Sequence, residues 1–310
     1  MKFSLQLPTD RVEHGDEFTS AGAIAELAEA IEAAGFDACW VTEHPFPSDE
    51  WMATGGHHSL DPFVALTAAA VATKTLRLHT NILVLPYRNP FLTAKAAASL
   101  DVVSGGRVIV GVAAGYLEGE YAALGANFAD RNAITDEALV AIKQAWKGES
   151  MKLDGRDFQV SGNTMLPRPV QQPHPPVWVG GNSSAAIRRT AEHAQGWSPF
   201  PIPGRFAGRV RTAGIETLDD LRERIEYLRD YARQIGRSDR IDVNFVPFGS
   251  RMNSQDPLDP KAFREQLAEL ESIGVTWLSL GVPGVTRAAY LDSIARFGAE
   301  VIGRTSVARS

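Results

Sequence analysis

A glutamate and a histidine stand side by side where a short apolar segment ends. Glu43 and His44 follow the apolar run 38–42 and precede Pro45. A carboxylate beside an imidazole at the end of a strand can orient a ligand or exchange protons near neutral pH. The structural alternative is a histidine packed under the following loop and a glutamate in water. The pair is therefore a candidate for acid–base chemistry if the fold opens at this point.

A second candidate is a glycine-rich turn between an apolar segment and a predicted helix. It consists of Gly180, Gly181, Asn182, Ser183 and Ser184. The free N–H groups of such a turn, together with the dipole of the following helix, can hold a phosphate. The structural alternative is a tight turn in which Asn182 or Ser183 caps the helix. We expect a phosphate site here.

Small residues elsewhere would let a flat ring approach the backbone. The segment 111–115 contains Ala113 and Ala114 and ends at Gly115. Its spacing is not the GxGxxG pattern of dinucleotide-binding turns. Asn81 is a polar residue inside an apolar segment, which indicates a bend, a ligand contact or a hydrogen bond to a neighbouring strand.

The other histidines and the single cysteine give weaker signals. His57 and His58 resemble a metal pair, but adjacent loop residues diverge and no third ligand has suitable spacing, so we predict a solvated loop and no metal site. His79 is predicted to be structural. Arg88 either binds an anion or caps the next turn. Cys39 is the only cysteine, which excludes an intrachain disulfide.

The elements that position these residues alternate between short apolar segments and longer amphipathic ones. Eight strands are predicted, at 3–7, 38–42, 76–85, 107–112, 176–179, 196–197, 241–248 and 275–281. The helices that follow them are predicted at 21–34, 62–73, 91–103, 136–147, 184–193, 218–235, 263–273 and 287–302. Asp61 is the predicted N-cap of the second helix and Pro62 its first residue. This alternation predicts an α/β fold, a single parallel (β/α)8 TIM barrel over residues 1–310.

Four segments are longer than ordinary connections, at 45–60, 151–172, 199–217 and 249–260. Three of them follow strands and are expected as insertions at the C-terminal face, where barrels of this kind carry their active sites. The segment 151–172 follows a helix instead. Its residues 152–158 predict a small hairpin away from the catalytic face.

The charge balance excludes some classes of partner. The 310 residues include 31 basic and 37 acidic side chains, which gives a formal net charge of −6. Such a chain provides no strong basic field for nucleic acid. No apolar stretch is long enough to cross a bilayer, and residues 1–6 lack the apolar core of a signal peptide. We therefore expect a cytoplasmic protein with no nucleic-acid or membrane partner.

Four stretches resemble the bacterial luciferase-like monooxygenase superfamily, and in particular its branch of probable oxidoreductases that use the deazaflavin coenzyme F420. They are residues 35–44, 76–90, 105–115 and 169–182, and the resemblance extends over nearly the whole chain. It implies a (β/α)8 barrel that holds an isoalloxazine-like ring at its C-terminal mouth. It also implies a homodimer.

The resemblance assigns positions to the ring and its tail. A non-prolyl cis peptide in the third strand would be Asn81–Ile82, with its backbone against the rear face of the ring. The residues 113–115 would lie beside the ring, and the phosphate tail would reach 180–184.

The resemblance also assigns roles to side chains near the head of the ring. Glu43 and His44 match positions that contact the deazaflavin, and the histidine serves there as a base. Tyr116 stands where sugar-phosphate dehydrogenases of this family carry an acidic glutamate. A tryptophan that follows the histidine in those enzymes is missing, although Trp51 can fill similar space. These departures argue against a sugar-phosphate dehydrogenase.

The prediction is an F420-dependent oxidoreductase that transfers a hydride to or from a small organic substrate. His44 would do acid–base work, Glu43 would polarise His44 or the cofactor, and Tyr116 would donate a proton. Three alternatives stay open at this point. They are an FMN-dependent monooxygenase of the same superfamily, a non-catalytic flavin-binding barrel, and a barrel lyase or isomerase that binds a substrate phosphate at Gly180.

Overall fold

Eight parallel strands close into a barrel in the computed structural model, which describes residues 1–249 and 259–303. The barrel strands are β1 (Lys2–Gln6), β2 (Ala38–Val41), β3 (Arg77–Val84), β4 (Val108–Ala113), β7 (Val177–Gly180), β8 (Gly196–Ser198), β9 (Asp242–Phe245) and β10 (Trp277–Leu280). They pair in this order, and β10 pairs with β1 to close the ring. The predicted (β/α)8 barrel is confirmed.

Helices surround the barrel and connect its strands. They are α1 (Ala21–Ala33), α2 (Asp49–Met52), α3 (Pro62–Ala72), α4 (Pro90–Ser104), α5 (Glu118–Ala123), α6 (Arg131–Ala145), α7 (Ser184–His193), α8 (Gly204–Ala207), α9 (Leu218–Gln234), α10 (Pro260–Ile273) and α11 (Arg287–Phe297). Asp61 caps α3 by accepting from two backbone N–H groups, and Pro62 follows it, as predicted. Within the described ranges, none of the helices has the length and apolar character needed to pass through a bilayer.

The helix boundaries differ from prediction most at α6 and at the last helix, and α10 begins at Pro260 rather than at 263. Helix α6 begins at Arg131 rather than at 136, because its first five residues contain a single large apolar side chain, Ile134, which is too few to show a helical periodicity. The last predicted helix, 287–302, ends its α-helical part at Phe297 and continues as the π-helical turn Gly298–Ile302. Of the predicted loop 249–260, residues 250–258 lie outside the described residues.

The hairpin predicted between the fourth and fifth barrel strands is present, but its placement was predicted incorrectly. Its antiparallel strands are β5 (Met151–Asp154) and β6 (Gln159–Asn163). Arg156 in its turn pairs with Glu137 of α6 at 3.0 Å, and Phe158 packs edge-on against Phe91 of α4 at 5.1 Å between ring centroids. Both contacts lie in the amino-terminal parts of helices that follow barrel strands. The turn therefore reaches the catalytic end of the barrel, on its outer side.

The interior of the barrel is polar over a large part of its height. Buried inward-facing side chains include Ser4, Gln6, His79, Asn244 and Ser279. A small apolar cluster lies below them and consists of Ala38, Ile109, Trp178 and Trp277. His79 packs edge-on against Trp178, and burial, with Arg77 nearby, lowers the pKa of its imidazole to about 3. His79 is therefore a neutral interior residue, consistent with the structural role predicted for it.

Candidate active site

The residues predicted to do chemistry meet in a pocket at the carboxyl-terminal mouth of the barrel. Its volume is about 400 Å³, which is in the range of small-molecule sites. It is lined by Glu43, His44, Asn81, Ile82, Ala113, Ala114, Gly115, Tyr116, Gly180, Gly181 and Ser183, among others. Asn182 and Ser184 do not line it.

A larger cavity, of about 870 Å³, lies at the opposite end of the barrel beside α9, β9 and β10. Its charged groups are partly paired with one another, as Arg237 and Asp239 are at 2.7 Å. The residues predicted to do chemistry all lie in the described ranges, and none of them lines this cavity. Because active sites of such barrels form at the carboxyl ends of the strands, we place the site at the mouth.

The floor of the pocket is formed where β3 is irregular. The Asn81–Ile82 peptide bond is cis, as expected, and the register of β3 against β4 shifts at this point. A Cβ atom on Gly111 would lie 2.0 Å from the Thr80 carbonyl oxygen and 2.9 Å from Ile82 Cγ2. A Cβ atom on Gly180 would lie 2.4 Å from Ile82 Cδ1. The two glycines therefore leave the space that the Ile82 side chain occupies.

His44 lies at the mouth between two other rings. The centroid of its imidazole is 4.4 Å from that of Trp51, so Trp51 fills the space that the sequence allowed for it. His57 contacts the same imidazole edge-on at 4.8 Å, and burial lowers the pKa of His57. The solvated loop predicted for the histidine pair therefore holds only for His58, which is exposed, whereas His57 packs against the site.

Glu120 is a site residue that was not predicted from the sequence. Its side chain is 1% exposed, and its Oε2 atom lies 3.4 Å from Nδ1 of His44. The hydroxyl of Tyr87 donates to Oε2 at 3.0 Å, and the backbone N–H of Phe46 donates to Oε1 at 3.0 Å. Burial, and then the nearby Glu120, raise the pKa of Tyr116, which therefore stays a protonated phenol.

Of the two partners predicted for the Glu43 carboxylate, His44 and the cofactor, the first does not contact it. The Glu43 side chain accepts a hydrogen bond from the backbone N–H of Val84 at 2.7 Å and forms an ion pair with Arg88 Nε at 2.6 Å. Arg88 also pairs with Asp61 at 2.8 Å, so it neither caps a turn nor has a free charge for a ligand anion. Burial raises the pKa of the Glu43 carboxyl, and Arg88 and the Val84 N–H oppose that shift.

The glycine-rich turn divides into a ligand-facing part and a structural part. Ser183 caps α7 by accepting from the backbone N–H of Ala186 at 3.2 Å, and it lines the pocket. Asn182 is fully buried; its side-chain amide donates to the carbonyls of Phe200 and Ala213, both at 2.9 Å, and accepts from the Phe200 N–H at 3.0 Å. The cofactor contact predicted for Asn182 is thus replaced by a role in holding the 199–213 loop.

Two arginines line the pocket away from His44, and neither was predicted from the sequence. The guanidinium carbons of Arg131 and Arg211 lie 4.2 and 4.9 Å from the ring centroid of Phe128. Arg211 pairs with Glu118, whereas Arg131 meets no carboxylate within ion-pair distance in the described part of the chain. Since β3, β4 and β7 separate the strand before His44 from the strand before Arg211, cations and imidazole lie at opposite ends of the pocket.

A third arginine at this end is nearly fully buried. Arg189 is 6% exposed and pairs with Asp136 at 2.5 Å, which ties α7 to α6. The backbone of Arg211 is also unusual. Its φ is 50°, and it is the only non-glycine residue with positive φ among residues 1–249 and 259–303. Residues other than glycine adopt this backbone conformation only rarely.

The site residues that were not predicted from the sequence all lie away from the ends of the barrel strands. Glu120 lies in α5, Arg131 is the first residue of α6, and Arg211 lies well inside the loop after β8. An interpretation that considers only the ends of strands therefore does not include these three residues. One signal was available, since 117–131 carries charged side chains directly after the small residues expected to face a ring.

Comparison with known proteins identifies a matching family and several relatives in sequence. A family model described as luciferase-like monooxygenase matches residues 1–252. An uncharacterized protein of Mycobacterium tuberculosis is 29% identical over 301 residues, which is 90% of this chain and 95% of that protein. The oxygenase component of a flavin-dependent trigonelline monooxygenase from Acinetobacter baylyi is 32% identical over 190 residues, 58% of this chain and 48% of that protein.

A solved structure shows the same fold. The coenzyme F420-dependent tetrahydromethanopterin reductase from Methanopyrus kandleri superposes with a TM-score of 0.74 at 19% identity. The match covers 98% of this chain and 99% of the reductase.

Proposed function

Since the chain belongs to the luciferase-like monooxygenase family, we propose that it is an oxidoreductase that binds coenzyme F420 and transfers a hydride to or from a small organic substrate. The observation that carries the choice of cofactor is the cationic end of the pocket, formed by Arg131 and Arg211. F420 continues beyond its phosphate into a tail of carboxylates, whereas FMN ends at its phosphate. Cations that lie outside the glycine-rich turn 180–184 therefore favour F420.

The residues at the mouth fit a ring with an anionic tail. The floor is apolar and narrow at Ile82, and the start of α7 presents backbone N–H groups beside Ser183, where an anion is stabilised. Thr42 lines the pocket, and its buried Oγ1 has no hydrogen-bond partner among the described residues. Such an atom is costly to bury unless a bound group satisfies it.

Each part of the pocket has a separate task in this proposal. When bound, the deazaflavin supplies hydride transfer. Ile82 and the small residues of β4 position its ring, the start of α7 holds its phosphate, and the two arginines hold the tail. His44 accepts or returns the substrate proton, and the protonated phenol of Tyr116 donates a hydrogen bond to the substrate.

Equilibrium titration of the purified protein with F420 and with FMN tests the choice of cofactor, with tryptophan fluorescence as the signal. We expect F420 to bind at least about 10-fold more tightly, which corresponds to ~1.4 kcal/mol. Arg131→Gln should weaken F420 binding and leave FMN binding unchanged. Arg156→Gln is the matched control, because Arg156 pairs with Glu137 outside the pocket.

Other outcomes of this titration separate the alternatives. Tighter binding of FMN would contradict the proposal. Binding of neither ring would favour a lyase or isomerase with a substrate phosphate at the turn. Binding of F420 without turnover on alcohols, aldehydes or enones would favour a non-catalytic binding protein.

An FMN-dependent monooxygenase is the second candidate. It is favoured by the 32% identity with the oxygenase component of the flavin-dependent trigonelline monooxygenase. Reduced FMN reacts with dioxygen, whereas a reduced deazaflavin reacts with it poorly. Dioxygen consumption that depends on reduced FMN and on an organic substrate would establish this candidate over the first.

We also propose that a second copy of the chain docks on the outer face of α3 and α4. Val64 and Val71 on α3, with Leu92 and Val103 on α4, are exposed apolar side chains. Helix α3 has no polar side, which is typical of a buried helix. The face is uncharged apart from Lys95, whose ammonium donates to the Leu166 carbonyl, so it suits an apolar partner surface like itself.

Sedimentation of the Val64→Glu/Val71→Glu variant tests this interface. We expect a dimer for the unmodified protein and a monomer for the variant. Val285→Glu, at another exposed apolar position, should leave the dimer intact. A monomeric unmodified protein would contradict the interface.

A further inference from the structure

We propose that Glu120 is a positioning residue for His44. It fixes the imidazole with its proton on Nδ1, so that the Nε2 lone pair is available to the pocket. Tyr87 supports this arrangement by donating to the same carboxylate. The inference deepens the proposed function, since it assigns the atom of His44 that would exchange a proton with substrate.

The geometry around the carboxylate carries the inference. Three potential donors converge on its two oxygens, namely the Tyr87 hydroxyl at 3.0 Å, the Phe46 N–H at 3.0 Å and His44 Nδ1 at 3.4 Å. The side chain of Glu120 is 1% exposed, so water does not compete for these positions. An ionised carboxylate is an acceptor only, and a set of donors around it matches that state.

The acceptor character of Glu120 determines the tautomer of its neighbour. A neutral imidazole has one N–H donor and one lone pair, and the hydrogen bond made by one nitrogen decides which is which. With Glu120 accepting at Nδ1, the proton resides there and Nε2 keeps its lone pair. The flanking rings of Trp51 and His57 hold the imidazole plane, with centroids at 4.4 and 4.8 Å.

No other carboxylate within the described ranges contacts His44 in this way. Glu43, its neighbour in sequence, is bound to Arg88 and to the Val84 N–H. Glu118, on the same short helix as Glu120, pairs with Arg211. Glu120 is therefore the carboxylate that can orient the imidazole.

Nitrogen NMR of the 15N-histidine-labelled protein without cofactor tests the proposal, with the His44 signals assigned by comparison with His44→Ala. We expect the Nδ1–H form of neutral His44 to predominate, although free histidine prefers the proton on Nε2. In Glu120→Gln the Nε2–H form should become the major one. The matched control Glu137→Gln, which removes a carboxylate on the outer side of α6, should leave the spectrum unchanged.

Steady-state kinetics with F420 supply the second readout. Glu120→Gln should lower kcat about 10- to 100-fold with little change in KM or in F420 affinity, as expected for an effect on the proton-transfer step. Tyr87→Phe should lower the Nδ1–H fraction less than Glu120→Gln does. The Tyr87→Phe variant also allows the proposal to be tested if Glu120→Gln does not fold.

Each outcome decides something. A predominant Nε2–H form in the unmodified protein would overturn the proposal. An unchanged spectrum in Tyr87→Phe would remove Tyr87 from the network. Because the NMR experiment uses cofactor-free protein, it tests the tautomer even if F420 does not bind, and failure of the proposed function is thereby distinguished from failure of this inference.

Discussion

Glu43 and His44 are adjacent in sequence, but their side chains belong to separate hydrogen-bond networks. The carboxylate of Glu43 is bound to Arg88 and to the Val84 N–H, whereas the imidazole of His44 meets Glu120. Successive residues of an extended segment point to opposite sides, which is the reason for the division. Glu43 therefore ties the end of β2 to the end of β3, and His44 remains available to a ligand.

The ion pair between Arg88 and Glu43 should be a large contributor to stability. Arg88→Met leaves a buried carboxylate without its opposite charge, and we expect a loss of about 3–5 kcal/mol in the free energy of unfolding at pH 7.5. Burial raises the pKa of Glu43 above its ordinary value of 4.5. Arg88 opposes this shift, so without it the Glu43 carboxyl of the folded variant is protonated more readily. The loss in the free energy of unfolding is therefore small below about pH 4.5, and it grows as pH rises through the pKa of Glu43 in the folded variant.

Urea unfolding of Arg88→Met and of the unmodified protein, at pH 7.5 and below about pH 4.5, measures this loss of stability. The double variant Glu43→Gln/Arg88→Met should recover part of the stability, because it buries no unpaired charge. Arg156→Met is a control for removal of a more exposed arginine. A loss in Arg88→Met no larger than that in Arg156→Met would contradict the prediction.

Removal of the imidazole of His44 should impair turnover far more than cofactor binding. His44→Ala should lower kcat about 10²- to 10⁴-fold, the usual contribution of a positioned acid or base. The dissociation constant of F420, measured by titration, should stay within about 3-fold, ~0.7 kcal/mol. His58→Ala, at an exposed position of the neighbouring loop, is the control. Undiminished turnover in His44→Ala would remove this residue from the mechanism.

Sequence reasoning located the barrel and most of its mouth because both depend on local rules. Strand ends carry the pocket residues in such barrels, and Gly180 and Ser183 lie at one of them. The partners of His44 and Glu43 were not predictable in this way. Glu120 reaches His44 from another connection, and Arg88 reaches Glu43 from the end of β3. Such pairings depend on side-chain directions that only the assembled mouth defines.

The floor of the pocket should tolerate a methyl group at one glycine and not at another. A Cβ atom on Gly111 would meet the backbone oxygen of Thr80 at 2.0 Å, which cannot move without the strand. A Cβ atom on Gly180 would meet only the end of the Ile82 side chain at 2.4 Å. We expect Gly111→Ala to cost at least about 3 kcal/mol of stability and Gly180→Ala about 1–2 kcal/mol.

The second substitution should instead affect the ligand. In Gly180→Ala the Ile82 side chain is displaced toward the pocket, so binding of F420 should weaken while the protein stays folded. Thermal unfolding and cofactor titration of both variants measure the two effects. Equal stability losses in the two variants would show that Ile82 does not yield.

A carboxylate far from the site should control part of the acid stability. Glu32 of α1 accepts from the backbone N–H groups of Lys74, Thr75 and Leu76, which immediately precede β3. Partial burial raises the pKa of Glu32, but these hydrogen bonds outweigh that effect and lower it to about 2. A depressed pKa contributes stability that is present above the ordinary value near 4.5 and is lost as pH falls toward 2.

Glu32→Gln should therefore lower the free energy of unfolding by about 1–2 kcal/mol at pH 7, the range for hydrogen bonds to a charged group at a partly exposed site. The difference from the unmodified protein should shrink as pH falls from 4.5 toward 2. Glu29→Gln, at an exposed position of the same helix, should have no comparable effect. A pH-independent difference between Glu32→Gln and the unmodified protein would contradict this account.

Variants at position 211 should separate backbone conformation from charge. Arg211 has a φ of 50°, which glycine adopts without steric cost. Arg211→Gly should therefore leave stability unchanged or raise it by up to about 1 kcal/mol. It should weaken F420 binding about 5- to 10-fold, ~1–1.4 kcal/mol, because the tail loses a cation. FMN binding should change little, since FMN has no tail beyond its phosphate.

Glu118 provides the opposite test of the same charge. Its carboxylate pairs with Arg211 at a half-exposed position, so it competes with any anionic tail for that guanidinium. Glu118→Gln should therefore strengthen F420 binding, and the gain should disappear in the Glu118→Gln/Arg211→Gly double variant. The gain should also decline at high salt, because the groups are accessible to screening ions. Unchanged F420 affinity in all three variants would mean that the tail lies elsewhere.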